Sequence, residues 1–167
     1  YLIILLVSAL IIFLSHVDYS QSSNFREFEQ SFRSSLFIVT SCITSTGLAT
    51  EDYTLWNSFT WVVMLILMVS GASTYSTSGG IKISRIVLIT KFCYFEFKKL
   101  IHPNAIMPVK YNGQIVRDDV MMRILAFSMI YIIIIIVGTF FLSLSGLGFQ
   151  ESFSGMITCM SDVGLGL

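Results

Sequence analysis

The chain has 167 residues, 54% of them apolar and only 12% charged, and its ten basic and ten acidic side chains cancel. A soluble domain carries roughly 25% charged residues. The mean hydropathy of +0.80 leaves more apolar surface than a soluble core of this length has use for, so a bilayer is the expected solvent and a multi-pass membrane protein the expected class. The zero net charge says nothing about nucleic acid, and no nucleic acid partner is expected. Three cysteines, Cys42, Cys93 and Cys159, lack metal-ligand spacing and form no disulfide framework. They are expected to be buried small apolar residues.

The chain opens inside an apolar run, YLIILLVSALIIFL, with no start methionine and no signal-peptide n-region. Its helical rise is about 21 Å against a hydrocarbon layer of roughly 30 Å. Residues 1–15 are therefore expected to be the cut end of a longer outer helix, and the chain a fragment. Between His16 and Trp56 the only basic residues are Arg26 and Arg33, against Asp18, Glu27, Glu29, Glu51 and Asp52. A short apolar stretch at 32–43 is too short to span and predicts a re-entrant or buried helix. It ends in the hydroxyl-rich turn TSTGLAT, residues 44–50.

Apolar character returns from Phe59 to Val69, breaks at SGASTYSTSGG (70–80), and resumes to about 97. One continuous helix over 57–97 would be about 61 Å long, twice the hydrocarbon layer. The reading is an inner helix broken at membrane depth, which is tolerated only where protein or a water-filled cavity satisfies the loose backbone. Residues 98–119 form a polar loop in which Asn112-Gly113, flanked by VKY and QIV, predicts a hairpin. The segment 120–143 contains an uncharged run from Ile124 to Leu142, long enough to cross as a helix. A second short apolar stretch, 149–160, leads into SDVGLGL. Eight of the ten Lys and Arg residues lie between Lys82 and Arg123, so the positive-inside rule puts 98–119 in the cytoplasm and 16–56 outside.

A shift of the chain by 117 residues sets Phe32 on Phe149, Ser35 on Ser152, Cys42 on Cys159, Gly47 on Gly164 and Leu48 on Leu165. The repeated unit is spanning helix, short descending helix, glycine turn, spanning helix; such internal repeats are common in membrane transport proteins. A helix that stops midway points its partly negative C-terminal end into the membrane, where it favours a cation. A glycine lets the returning chain turn its carbonyls towards a common axis. Rings of carbonyls replace the water shell of a potassium-sized ion. Thr44, Ser45 and Thr46 are small enough to pack closely there.

The motifs TSTGLATEDYTLWNS, SGASTYSTSGGIKISR, HPNAIMPVKYNGQIV and SDVGLGL together resemble the TrkH-type potassium uptake subunits of the Trk/Ktr/HKT superfamily. The resemblance covers nearly the whole chain. It implies an all-α membrane fold of helix–pore helix–filter–helix units, four to a chain, arranged as in potassium channels. The chain then holds the third unit (1–97, with pore helix 32–43 and filter 44–47) and part of the fourth (120–167, with pore helix 149–160 and filter 161–164). It implies that Thr44, Ser45, Thr46 and Gly47, with Ser161, Asp162, Val163 and Gly164, supply two of four filter walls for a potassium ion. It implies an intramembrane gating loop made of Ser70, Gly71, Ala72, Ser73, Thr74, Tyr75, Ser76, Thr77, Ser78, Gly79 and Gly80. The implied partners are a second copy of the subunit and a cytoplasmic ring of nucleotide-binding regulatory subunits, and the implied location is the cytoplasmic membrane. No covalently bound cofactor is expected.

Three positions depart from the family pattern. Asp162 and Leu165 stand where Asn and Pro are usual; the acid either strengthens cation attraction or caps a backbone amide. Tyr75 replaces a glycine, and either narrows the pore or faces away into protein. Ser78 is expected to be neutral. Lys82 either faces water or a partner, or snorkels to the surface; with Arg85 it forms the inner end of the pathway or anchors the loop. Glu51 and Asp52 either concentrate cations or are solvated loop acids. His16 and His102 have no metal-ligand spacing. The reading that results is potassium uptake rather than catalysis. The alternatives are an intramembrane serine hydrolase using Ser76 or Ser78, for which Lys82 is the sole nearby base, and a structural membrane module.

Overall fold

The computed structural model describes residues 2–16, 25–53, 56–101, 109–111 and 113–166. Asp18, His102 and Asn112 lie outside the described residues. The described residues form six helices in order: α1 (Leu2–His16), α2 (Phe25–Thr44), α3 (Ser58–Ser70), α4 (Ile83–Ile101), α5 (Asp118–Leu144) and α6 (Phe149–Ser161). Between α4 and α5 sits a two-stranded antiparallel hairpin, β1 (Lys110–Tyr111) with β2 (Gln114–Ile115). Lys110 pairs with Ile115 and Tyr111 with Gln114, and Gly113 takes the positive φ of 81° that such a tight turn demands.

The arrangement is two helical hairpins, α1 with α2 and α5 with α6, with α3 touching α1, α2 and α6, and α4 leaning on α5. Ile12, Ile38, Val39, Cys42, Met64, Met68, Ile135, Ile157 and Val163 share one buried cluster. Thus both hairpins close on the same core through α3. On α5 the buried residues are Met121, Ser128, Tyr131, Ile135 and Thr139, one stripe at helical spacing. The other faces expose Ile130, Ile132, Ile133, Ile134 and Ile136. At 27 residues and a hydropathy of 2.7 in its most apolar window, α5 is about 40 Å long and suits a bilayer. Asp118 and Asp119 occupy its first turn, where negative charge complements the helix dipole.

Helix α2 begins at Phe25, earlier than the apolar stretch at 32 suggests. Its first turns, FREFEQS, are polar but rich in helix formers. Hydropathy bounds the apolar part of a helix, not the helix. Several hydroxyls within the helices are satisfied locally: Ser35 Oγ donates to Ser31 O at 2.7 Å and Thr139 Oγ1 to Ile135 O at 2.7 Å, while the buried Ser152 Oγ has no partner among the described residues. Gly138 lies against Met156 of α6, where a Cβ would overlap the thioether; a small residue lets the two helices approach.

Of the cysteines only Cys42 is buried, while Cys93 and Cys159 are exposed. Among the described residues nothing covers these two positions on α4 and α6, so the expectation of three buried thiols does not hold within this chain.

Candidate functional site

The ends of α2 and α6 have the same backbone geometry. Ser45 and Asp162, the first residues past each helix, sit in left-handed conformation at φ 56° and 60°. Ser45 N donates to Cys42 O and Asp162 N to Cys159 O, both at 3.4 Å. Thr46 N reaches Ser41 O at 3.0 Å, and Val163 N reaches Thr158 O at 3.2 Å. Gly47 and Gly164 follow at φ 70° and 86°. Every one of these pairs is 117 residues apart, so the sequence repeat is also a backbone repeat. The hydrogen bonds close each helix in a left-handed C-terminal cap. Asp and Asn are the non-glycine residues that tolerate this conformation best, which is a physical reason for an Asp to stand at 162.

The two turns lie against each other. A Cβ added at Gly47 would overlap the carbonyl oxygen of Val163 and come within 3.8 Å of Gly164 Cα. Ser45 Oγ donates to Ser161 O at 3.1 Å. Ser161 is fully buried, and its hydroxyl pairs with Tyr131 OH of α5 at 3.1 Å. Thr44 Oγ1 donates to Thr40 O at 2.7 Å, which leaves Thr46 Oγ1 as donor in the 2.7 Å Thr44–Thr46 contact. Among the described residues, no donor reaches the carbonyl oxygens of residues 44–47 or 162–164. Free backbone oxygens in an apolar protein are costly unless water or an ion meets them.

Between α3 and α4 the chain leaves helical geometry from Gly71 to Lys82. The segment closes on itself at the neck. Ile81 N donates to Val69 O at 2.9 Å, and Ala72 N to Ser78 Oγ at 3.2 Å. A Cβ at Gly71 would come 2.5 Å from Gly79 O, and one at Gly80 2.8 Å from Val69 O. Ser78, expected to be neutral, thus holds the loop shut from inside; it is buried. Lys82 at φ 74° turns its ammonium back over the loop and donates to Ser76 O at 2.8 Å and Thr74 O at 3.3 Å. Gly79 packs under the second turn: a Cβ there would sit 2.9 Å from Ser161 Cα. The loop of one repeat therefore abuts the turn of the other.

Other expected residues fall as follows. Arg85 lies 4.2 Å from the Phe127 ring centroid, joining α4 to α5 through a cation–π contact. Glu51 accepts from Ser34 Oγ at 2.8 Å and Gln30 Nε2 at 3.1 Å, so it ties the returning chain to α2. Tyr75 is 99% exposed and is not buried within the chain. The Asp162 carboxylate is exposed and caps no amide among the described residues; its backbone, not its side chain, closes α6. Ser76 Oγ accepts Ser78 N at 3.2 Å, while the Lys82 ammonium engages carbonyls, so neither serine has a base on its hydroxyl. No group of three or more His, Cys, Asp and Glu that could hold a metal occurs among the described residues.

Two positions were missed by sequence reasoning. Tyr131 pairs with Ser161, and Tyr53 OH donates to Gly166 O at 2.7 Å. A signal existed for the first: Tyr131 is the sole hydroxyl-bearing side chain from Ile130 to Ile136, and a buried phenol finds a partner. Nothing comparable marked Tyr53.

Residues 1–167 match the family model TrkH, described as a cation transport protein. The Trk system potassium uptake protein TrkG of Escherichia coli strain K12 is 37% identical over 138 residues, covering 81% of this chain and 28% of that protein. The Trk system potassium uptake protein TrkI of Halomonas elongata is 34% identical over 131 residues, covering 78% of this chain and 27% of that protein. The crystal structure of the potassium transporter TrkH from Vibrio parahaemolyticus superposes with a TM-score of 0.88 at 26% identity, over 99% of this chain and 35% of that one. The chain thus spans about a third or less of the proteins it matches. Its fold is the all-α membrane fold of those transporters, and the chain belongs to the TrkH family of cation transport proteins.

Proposed function

We propose that this chain supplies two walls of a pathway that admits potassium ions across the cytoplasmic membrane. The observation that carries the reading is the close approach of Gly47 to the Val163 carbonyl: α2 and α6 end in matching turns at one place, where no donor among the described residues reaches the carbonyls of 44–47 or 162–164. The relatives named as potassium uptake proteins support the choice of ion. Cations collect at the acidic outer side, exchange water for backbone oxygens at residues 44–47 and 162–164, and pass the loop 70–80; the Ser161 carbonyl is held by Ser45 Oγ instead. They leave towards the basic side between Lys82 and Arg123, driven by the electrochemical gradient. Lys82 acts as the loop's anchor, because its ammonium is engaged by Thr74 O and Ser76 O. The working assembly is two copies of the full-length chain with nucleotide-binding subunits on the cytoplasmic side.

The test is rubidium uptake into vesicles containing the full-length protein. Wild type takes up rubidium, and Gly47→Asp abolishes uptake without loss of reconstituted protein. Uptake unchanged in Gly47→Asp would remove the pathway from these turns. Labelling of Ser76 or Ser78 by a serine-directed covalent probe would favour the hydrolase reading instead.

A further inference from the structure

The second turn continues past Gly164, and its next two carbonyls differ from those before them. Leu165 O accepts from Thr158 Oγ1 at 3.0 Å, and Gly166 O accepts from Tyr53 OH at 2.7 Å. The carbonyls of residues 162–164 accept nothing from the described residues. A carbonyl held by a hydroxyl is turned towards its donor and is a weaker ligand for a cation. The boundary between ion-facing and protein-facing oxygens therefore falls between Gly164 and Leu165.

Tyr53 belongs to the other repeat, 113 residues from its acceptor. It is half-buried, and its backbone carbonyl accepts Trp56 N at 3.2 Å. The same short stretch is tied to α2 through Glu51. The bond at Gly166 therefore links the outer end of the second turn to a braced segment of the first unit. Among the described residues the first turn shows no equivalent: there the amide of Leu48 donates to Ser41 Oγ at 2.8 Å, the reverse polarity of the Thr158–Leu165 bond. The second turn thus leans on the first at its outer end as well as at the Ser45–Ser161 bond.

We propose that Tyr53 is a positioning residue for ion selection. Its hydroxyl draws the Gly166 carbonyl aside and thereby fixes where the free carbonyls of residues 162–164 stand. The proposal rests on the potassium-pathway reading. Selection between ions depends on how many carbonyls meet the ion and how firmly they are held. Loss of one such hydrogen bond lowers the preference of the site by about fivefold.

The experiment compares potassium and sodium uptake in vesicles containing full-length protein. Tyr53→Phe removes one oxygen and keeps the ring; incorporation of para-aminophenylalanine at position 53 keeps a donor in the same place. The expected result is a potassium-to-sodium ratio about fivefold lower in Tyr53→Phe, restored by the amino analogue, with unchanged elution volume and thermal midpoint. A wild-type ratio in Tyr53→Phe overturns the proposal, as does a lowered ratio that the amino analogue fails to restore. A wild-type protein that carries no potassium defeats the pathway reading itself, a separate outcome.

Discussion

At the scale of single residues, the two turn glycines face different constraints. Both occupy left-handed backbone, at φ 70° and 86°, where a side chain costs roughly 1–2 kcal/mol. Only Gly47 is also pressed by backbone: a Cβ there meets the Val163 carbonyl, whereas nothing lies within 4 Å of one at Gly164. A backbone carbonyl cannot swing aside as a side chain can, so Gly47→Ala must push the two turns apart. We expect Gly47→Ala to lose at least tenfold in initial rubidium influx, since a factor of ten needs only about 1.4 kcal/mol. Gly164→Ala should lose several-fold less. Equal effects would mean that the contact between turns contributes nothing. Both glycines were legible in the sequence because the 117-residue repeat marks them together. Their mutual contact was not, since a repeat gives correspondence and not distance. Tyr53 escaped for a similar reason: its acceptor is a backbone atom, and backbone acceptors leave no trace in residue type.

At the scale of elements, the segment between α3 and α4 is a closed loop with a latch. Its neck is held by Ile81 N on Val69 O and by Ser78 Oγ on Ala72 N, and its tip by the Lys82 ammonium on two carbonyls. Hydrogen bonds to a charged donor contribute about 1.5–3 kcal/mol each when shielded. The Lys82 side chain is partly exposed, so about 1 kcal/mol in total is the fairer figure. Lys82→Met keeps the aliphatic stem and removes the ammonium. It should raise basal rubidium flux about fivefold and speed amide hydrogen exchange across residues 71–82. Lower flux would assign Lys82 to the pathway rather than to the latch. The break itself was readable, because a 57–97 helix is too long for a bilayer and the eleven residues of 70–80 are nearly all small. The latch was not, because hydropathy says that a lysine at that depth needs partners without saying which. The early start of α2 at Phe25 was missed because its opening turns carry no apolar signal.

At the scale of the whole molecule, the chain is a part that presents unfinished faces. Helix α5 leaves most of its isoleucines exposed, and the carbonyls of residues 44–47 and 162–164 accept nothing from the described residues. It spans about 27–35% of its relatives, and on the proposed reading the two turns are two walls of a larger pathway. The charge distribution supports the proposed direction: eight of the ten basic residues gather between Lys82 and Arg123, whereas Glu29, Glu51 and Asp52 belong to the stretch between His16 and Trp56. The membrane class was legible in composition, since a bilayer leaves few alternatives for such a chain. The convergence of the turns is the claim on which transport depends. Anomalous diffraction from crystals of the full-length protein soaked in rubidium or thallium tests it most directly. The account expects a peak coordinated by carbonyl oxygens of residues 44–47 and 162–164 together. Well-ordered turns with no ion between them, and a peak elsewhere in the molecule, would contradict it.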